Sequence, residues 1–280
     1  QFLASGLWAV TVMNEYDHIL GFHKINAFRD AVHNSVGGKE NYFRVEERID
    51  FDPYTILGQK TKGGKITEKD CLVMQEIWKG PHTTGNDFLW YSFLPGGTFW
   101  NKIIPIGSFY YPLIGKRPKC FSLVEQYVHL AFEDPKKDLL HLKIRDFEKV
   151  FDTCIRKLGW LSCDHADLRP FANAGGKLII DHGLDDPLIP VEGTIDYYHH
   201  MREIHGGQNF IDRFCRLYIN PGDGHGNCHT NGPGMTESTG IQALMNWVEQ
   251  NKAPENLPAV LVNQKTGKTI RKGIVKPWRV

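Results

Sequence analysis

The sequence predicts an α/β fold: a parallel sheet with flanking helices in the C-terminal part, preceded by a large mixed domain. Two short apolar runs, Lys177-Leu178-Ile179-Ile180 and Phe214-Cys215-Arg216-Leu217-Tyr218-Ile219, read as strands. Each is followed by a polar, Gly-containing turn and then by helical periodicity, the βαβα order of a parallel sheet covered by helices. Residues 1–160 show no such order and are irregular and rich in aromatics. The break divides the chain into 1–160 and 161–280.

In the first part, Phe2 to Leu20 and His23 to Val36 carry apolar residues at helical spacing, and Gly37-Gly38 ends the second run. Residues 50–64 are turn-rich and polar. Thr67-Glu68-Lys69-Asp70 then resembles a capping box, with the shorter Asp in place of the usual Glu. Leu72, Val73, Ile77 and Trp78 continue that helix until Gly80-Pro81 stops it. Residues 83–118 read as loop, dense in Gly, Pro and aromatics from Phe88 to Tyr111, and Phe147 to Leu158 as helix. In the second part, Lys177 to Ile180 reads as a buried strand ending in a polar turn from His182 to Pro187. Thr194 to Ile204 reads as a helix with Ile195, Tyr198 and Met201 on one side. The second strand ends in Pro221-Gly222-Asp223-Gly224-His225-Gly226. Gly240 to Glu249 follows as an amphipathic helix through Ile241, Leu244, Met245, Trp247 and Val248.

Composition narrows the function. The 33 Lys and Arg against 32 Asp and Glu leave a net charge of +1, which argues against a nucleic-acid surface and against a polyacidic tail. Apolar residues at 41% and charged residues at 23% are ordinary for a globular chain. No apolar run approaches the roughly 20 residues of a membrane helix, so neither nucleic acid nor membrane is an expected partner. The six cysteines contain no Cys-x-x-Cys pair, and no Asn-x-Ser/Thr sequon occurs. They leave the redox compartment open. The chain begins Gln1-Phe2-Leu3 without an initiator Met or a signal pattern, and reads as a processed chain or a fragment.

In an open parallel sheet, reactive side chains sit on the loops leaving the carboxyl ends of the strands. Asp186 and His225 occupy two such loops. Acid before base is the chain order of the second and third members of an α/β-hydrolase triad. In that arrangement His225 takes the proton of a nucleophilic Ser and returns it to the leaving group. Asp186 fixes the imidazole tautomer and stabilises its protonated form. The bland alternative is a turn Asp before Pro187 and a surface His. Asp185 is the acid if the turn is shifted by one.

Further motifs point to a family. Asp167-Leu168-Arg169-Pro170-Phe171, Gly175-Gly176-Lys177-Leu178-Ile179-Ile180, His182-Gly183-Leu184-Asp185-Asp186-Pro187-Leu188-Ile189-Pro190, Gly193-Thr194-Ile195-Asp196-Tyr197-Tyr198 and Pro221-Gly222-Asp223-Gly224-His225 together resemble the tannase and feruloyl esterase family. Trp247-Val248-Glu249 followed by Lys252-Ala253-Pro254 is similar to that family's C-terminal end. Ile66 to Gly80 and Leu94-Pro95-Gly96-Gly97 are similar to its lid. The resemblance is closest over residues 165–255. It implies a secreted serine esterase that cleaves esters of aromatic acids such as gallate and ferulate, without a cofactor. Its α/β-hydrolase core carries a large lid inserted before the acid-bearing strand. Residues 1–160 would be lid and 161–280 the end of the core, with Asp186 as triad acid and His225 as triad base.

Three departures qualify that expectation. The family's Cys-Ser-x-Gly-Gly elbow is absent, as is any Gly-x-Ser-x-Gly. Ser5, Ser35 and Ser238 lie near Gly and read as turn or cap serines. The nucleophile and oxyanion-hole donors are therefore expected on a missing N-terminal half or a partner chain, and the isolated chain is expected to be inactive. The family places a Cys directly after the His, whereas here Gly226 follows His225 and the nearest thiol is Cys228, either taking over that link or standing free. The Asp- and Gly-rich calcium loop of many members has no counterpart in residues 34–52, where closely spaced carboxylates are lacking.

Other features have weaker readings. His225, Cys228 and His229 are three candidate zinc ligands without a second cluster. His182 reads as a structural hydrogen-bonding residue and His199-His200 as solvated. The aromatics from Phe88 to Tyr111 either line a pocket for a planar phenolic ring or pack in the lid core. A non-catalytic binding chain derived from such an esterase is the alternative to an enzyme.

Overall fold

The structure is a computed structural model that describes residues 1–36, 49–97, 122–186, 188–226, 232–263 and 265–279. It contains two compact units.

The first unit, from Gln1–Ser35 and Ile49–Ser162, is mainly helical. Its elements are α1 (Phe2–Glu15), α2 (Phe22–Val36), the two-residue strands β1 (Lys60–Thr61) and β2 (Gly64–Lys65), α3 (Glu68–Lys79), α4 (Ser122–Phe132) and α5 (Ile144–Leu158). Leu7, Trp8, Phe28, Val73, Ile77, Val124, Val128 and Phe147 meet in its core. The Trp8 ring packs edge-on against Phe147 at 5.2 Å. The helix expected to reach Leu20 ends at Glu15. Asp17 adopts φ 45°, which an α-helix cannot continue.

Leaving the helix there lets His18 reach Asp70. Asp70 is the acid of the expected capping box on α3, and both halves of the box are present. Its carboxylate accepts from Thr67 N–H at 2.7 Å, from His18 Nε2 at 2.8 Å and from Lys24 Nζ at 2.6 Å. Burial alone would raise this carboxyl, but the bonds from Lys24, His18 and Thr67 outweigh it and hold it below the ordinary carboxylate value. One buried side chain thus joins the segment between α1 and α2 to the start of α3. In the loop after α3, Phe93 is buried in the core, Trp90 and Tyr91 are half-buried and Phe88 is exposed. The remaining aromatics of that segment, Phe99 to Tyr111, lie outside the described residues.

The second unit, from Cys163–Asp186 and Val191–Val280, is α/β. The short α6 (Arg169–Asn173) leads into β3 (Leu178–Gly183). Then follow α7 (Val191–Ile204), α8 (Gln208–Ile211), β4 (Cys215–Asn220), β5 (Gly234–Met235), α9 (Glu237–Gln250), β6 (Leu257–Val262) and β7 (Thr269–Val275). β3 and β4 pair in parallel, in register from Leu178–Cys215 to Gly183–Asn220, as the α/β reading requires.

Three expectations need correction. β3 runs on through Asp181-His182-Gly183, and it is half-buried rather than buried. Among the described residues it pairs with β4 alone. β4, by contrast, is buried throughout. The C-terminal tail covers its other side through a bridge between Tyr218 and Pro277 and a 2.7 Å bond from Trp278 N–H to the Leu217 carbonyl. In α9 the inward face is Ala243 and Trp247, whereas Ile241, Met245 and Val248 are exposed. The Arg216 guanidinium lies 4.9 Å from the Trp247 ring, a cation–π contact that orients the helix. The antiparallel sheet β5–β6–β7 is an addition to the expected elements.

Replacing Asp70 with Asn removes the charge on which Lys24, His18 and Thr67 converge, and should cost about 3 kcal/mol at neutral pH. Asp70 stabilises the fold fully above the ordinary carboxylate pKa, and this contribution is lost as pH falls through its lowered folded value. Denaturant unfolding should therefore show a gap between wild type and variant that is constant at neutral pH and closes below about pH 4. A gap unchanged in acid would contradict the assignment.

Candidate active site

The two loops that leave β3 and β4 are tied together by their backbones. Leu184 N–H donates to the Asn220 carbonyl at 2.8 Å and Asp185 N–H to the Asp223 carbonyl at 2.9 Å. The loops approach so closely that a Cβ on Gly183 would lie 2.4 Å from the Asp223 carbonyl oxygen, and one on Gly234 would lie 1.8 Å from Asp223 Oδ2. At Gly183 the obstacle is backbone, so that position requires glycine; at Gly234 it is the Asp223 side chain, which would have to shift.

This lattice fixes where Asp186 and His225 emerge. His225 Nδ1 lies 3.0 Å from Asp186 Oδ2, within hydrogen-bond reach. The two side chains differ in exposure, 6% for Asp186 against 44% for the His225 ring. The acid is held in the protein while the base presents an open edge. A ring that donates Nδ1–H to a buried carboxylate carries its lone pair on Nε2, the tautomer that a general base needs. Among the described residues, Asp186 is the hydrogen-bonding partner of His225. Asp185 instead engages Asp223 through its backbone.

His182 stands beside this pair. Its Nδ1 lies 2.7 Å from Thr194 Oγ1 on α7, the structural hydrogen bond expected of it, and its Nε2 lies 3.6 Å from Asp186 Oδ2. Nothing in the sequence pattern foretold the contact with Asp186 or the part played by Thr194.

A second polar cluster also escaped the sequence reading. The Asn220 amide donates to Asp181 Oδ1 and accepts from Met235 N–H at 3.1 Å. Although Asp181 keeps solvent access, the protein packed around it desolvates its carboxyl. With the nearby Asp223 charge, and against the Asn220 bond, this pushes its pKa up to about 6. The alternation of β3 would have placed Asp181 on the same face as Gly183, opposite His182, had the strand been read to its true end.

The three serines near Gly do not behave alike. Ser238 bonds the N-cap residue Thr236 at 3.0 Å, as a cap serine does. Ser5 is buried within α1, and Ser35 lies in the last turn of α2, bonded to the Val32 carbonyl at 2.8 Å. Those two are helical rather than turn residues. His200 is exposed and His199 half-buried. Cys228 and His229, named for a link to a second Cys or for zinc, lie outside the described residues. So do residues 37–48 of the region compared with the calcium loop.

Comparison with known proteins agrees with the fold. A family model described as tannase and feruloyl esterase matches residues 118–278. A protein of Arthroderma benhamiae named "Probable feruloyl esterase" is 27% identical over 92% of this chain and 49% of its own length. The tannase of Aspergillus oryzae is 24% identical over 74% of this chain and 37% of its own. This chain thus spans about half the length of the first relative and less of the second. The solved structure of tannin acyl hydrolase from Aspergillus niger superposes with a TM-score of 0.76 at 22% identity, over 99% of this chain and 54% of that one. That likeness speaks for an α/β fold of the hydrolase type.

The raised Asp181 carboxyl makes a prediction about stability. A carboxyl with a folded pKa above its unfolded value favours the fold below the unfolded value and loses that contribution as pH rises through the folded one. Asp181→Asn should therefore raise the Tm relative to wild type at pH 7 and above. The difference should shrink on acidification from about pH 6 and disappear near about pH 4. Equal differences at both ends of that range would contradict the cluster.

Proposed function

The chain belongs to the tannase and feruloyl esterase family, and from that premise we propose that it is the acid- and base-bearing part of a serine-type carboxylic ester hydrolase acting on esters of aromatic acids. The observation that carries this reading is the 3.0 Å contact between a buried Asp186 and a half-open His225. On this reading residues 1–160 form the lid, and the protein works outside the cell, the family's usual setting. No described helix is long and apolar enough to cross a membrane.

The chemistry follows from the tautomer. His225 Nε2 removes the proton of a serine hydroxyl as its oxygen attacks the ester carbonyl, and the imidazolium formed is stabilised by Asp186. The same proton passes to the departing alkoxide when the C–O bond breaks. In the second half-reaction Nε2 takes a proton from water, which attacks the acyl-serine, and returns it to the serine. No elbow motif occurs in these 280 residues, so the serine and the oxyanion donors are proposed to come from a segment or partner chain beyond them. Gly226 after His225, where the family places a Cys, is what favours the competing reading, a chain of esterase ancestry retained for binding.

The test uses the complete gene product and the methyl esters of ferulic and gallic acids. His225→Ala and Asp186→Ala should each lower kcat by roughly three to four orders of magnitude with folding preserved. The 280-residue chain by itself should show no turnover. Hydrolysis that survives His225→Ala would refute the assignment, and absence of hydrolysis by the complete protein would favour the binding chain.

A further inference from the structure

Asp186 stands on a short turn, where a carboxylate has rotameric freedom unless something confines it. Its own N–H bonds the Gly183 carbonyl at 3.3 Å. The His182 side chain, itself bonded to Thr194, adds a contact to that bond. The alternation of β3 points His182 to the face of the strand opposite Asp181. There Thr194 on α7 meets its Nδ1 at 2.7 Å, and its Nε2 lies 3.6 Å from the same Oδ2 that His225 engages. Both side chains are largely buried, 10% and 6% exposed for His182 and Asp186.

The donor pattern follows from these positions. An Nε2 lone pair facing a carboxylate oxygen would repel it, so the ring carries its proton on Nε2. Nδ1 then accepts from the Thr194 hydroxyl. The groups form a consistent series: Thr194 O–H to His182 Nδ1, His182 Nε2–H toward Asp186 Oδ2, and His225 Nδ1–H to Asp186 Oδ2. At 3.6 Å the middle contact is too long for a full hydrogen bond. In a desolvated site it still orients a charged oxygen, because the field of an N–H dipole is weakly screened there.

We propose that His182, held by Thr194, is a positioning residue for Asp186: it confines the carboxylate to the rotamer that presents Oδ2 to His225. This rests on the esterase reading above. It assigns to a residue outside the acid–base pair a share in the rate, exercised through Asp186.

The test measures kcat and KM for methyl ferulate and methyl gallate with the complete gene product. His182→Ala should lower kcat by roughly ten- to a hundredfold, the loss of one contact to a charged group, and leave KM unchanged. His182→Gln, whose amide N–H takes the place of Nε2–H, should recover most of that loss. Thr194→Val should lower kcat in the same sense, and Thr194→Ser should restore it. In an Asp186→Ala background, His182→Ala should add no further loss. That last result separates positioning from structural damage, which would persist whatever residue stood at 186. If His182→Ala fails to fold, the Thr194 pair carries the same test. The inference is overturned by an unchanged kcat in His182→Ala, by a Gln variant no better than Ala, or by undiminished loss in the Asp186→Ala background. Loss in His225→Ala without loss in His182→Ala removes this inference and leaves the esterase reading standing. A wild-type protein without turnover removes both.

Discussion

The second unit is organised around a short bond between a buried acid and an accessible base, Asp186 Oδ2 and His225 Nδ1 at 3.0 Å. Neither residue could hold that geometry from its own loop. The bond exists because β3 and β4 run parallel and end level, Gly183 opposite Asn220. The turns beyond them then exchange backbone hydrogen bonds, and glycine at 183 lets the Asp223 backbone sit where a Cβ would displace it. Parallel pairing sets the direction in which the loops leave, and close backbone approach sets their spacing. The difference in exposure between acid and base follows from both.

A comparable economy appears in the first unit. Asp70 completes the capping box of α3 and receives His18 and Lys24 as well. A buried carboxylate is costly unless its oxygens are satisfied, and here the Thr67 amide and hydroxyl, His18 and Lys24 satisfy them. Helix start and long-range contact share a single side chain, and the end of α1 at Glu15 leaves His18 free of the helix to join it.

The sequence made some of this legible and hid the rest for physical reasons. The parallel pair could be read because apolar runs followed by polar turns and helical periodicity are what a helix-covered parallel sheet demands and few competing folds produce. Asp186 and His225 then follow from the place of reactive loops in such a sheet. The end of β3 could not be read, because Asp181-His182-Gly183 is polar and flexible in composition and becomes strand only through its pairing with β4. Of the apolar residues read into α9, Trp247 does turn inward, beside Arg216, but Ala243 is its buried companion while Ile241, Met245 and Val248 remain outside. The antiparallel strands β6 and β7 alternate in burial, but their residue types, Leu-Pro-Ala-Val-Leu-Val and Thr-Ile-Arg-Lys-Gly-Ile-Val, do not alternate apolar with polar, and their pairing is a tertiary fact. His182 was correctly read as structural in its bond to Thr194. Its approach to Asp186 depends on a turn geometry that no spacing rule encodes.

The central claim is that the His225 ring keeps its proton on Nδ1 and shares it with Asp186. The most direct measurement is the side-chain imidazole spectrum of the complete, isotopically labelled protein, with His225 assigned by substitution. The account predicts a downfield Nδ1–H signal from His225, protected from solvent exchange and lost in the Asp186→Ala protein, and, in the neutral ring, an Nε2 that carries no proton. A His225 ring that bears its proton on Nε2, or one whose spectrum is indifferent to the residue at 186, would contradict it.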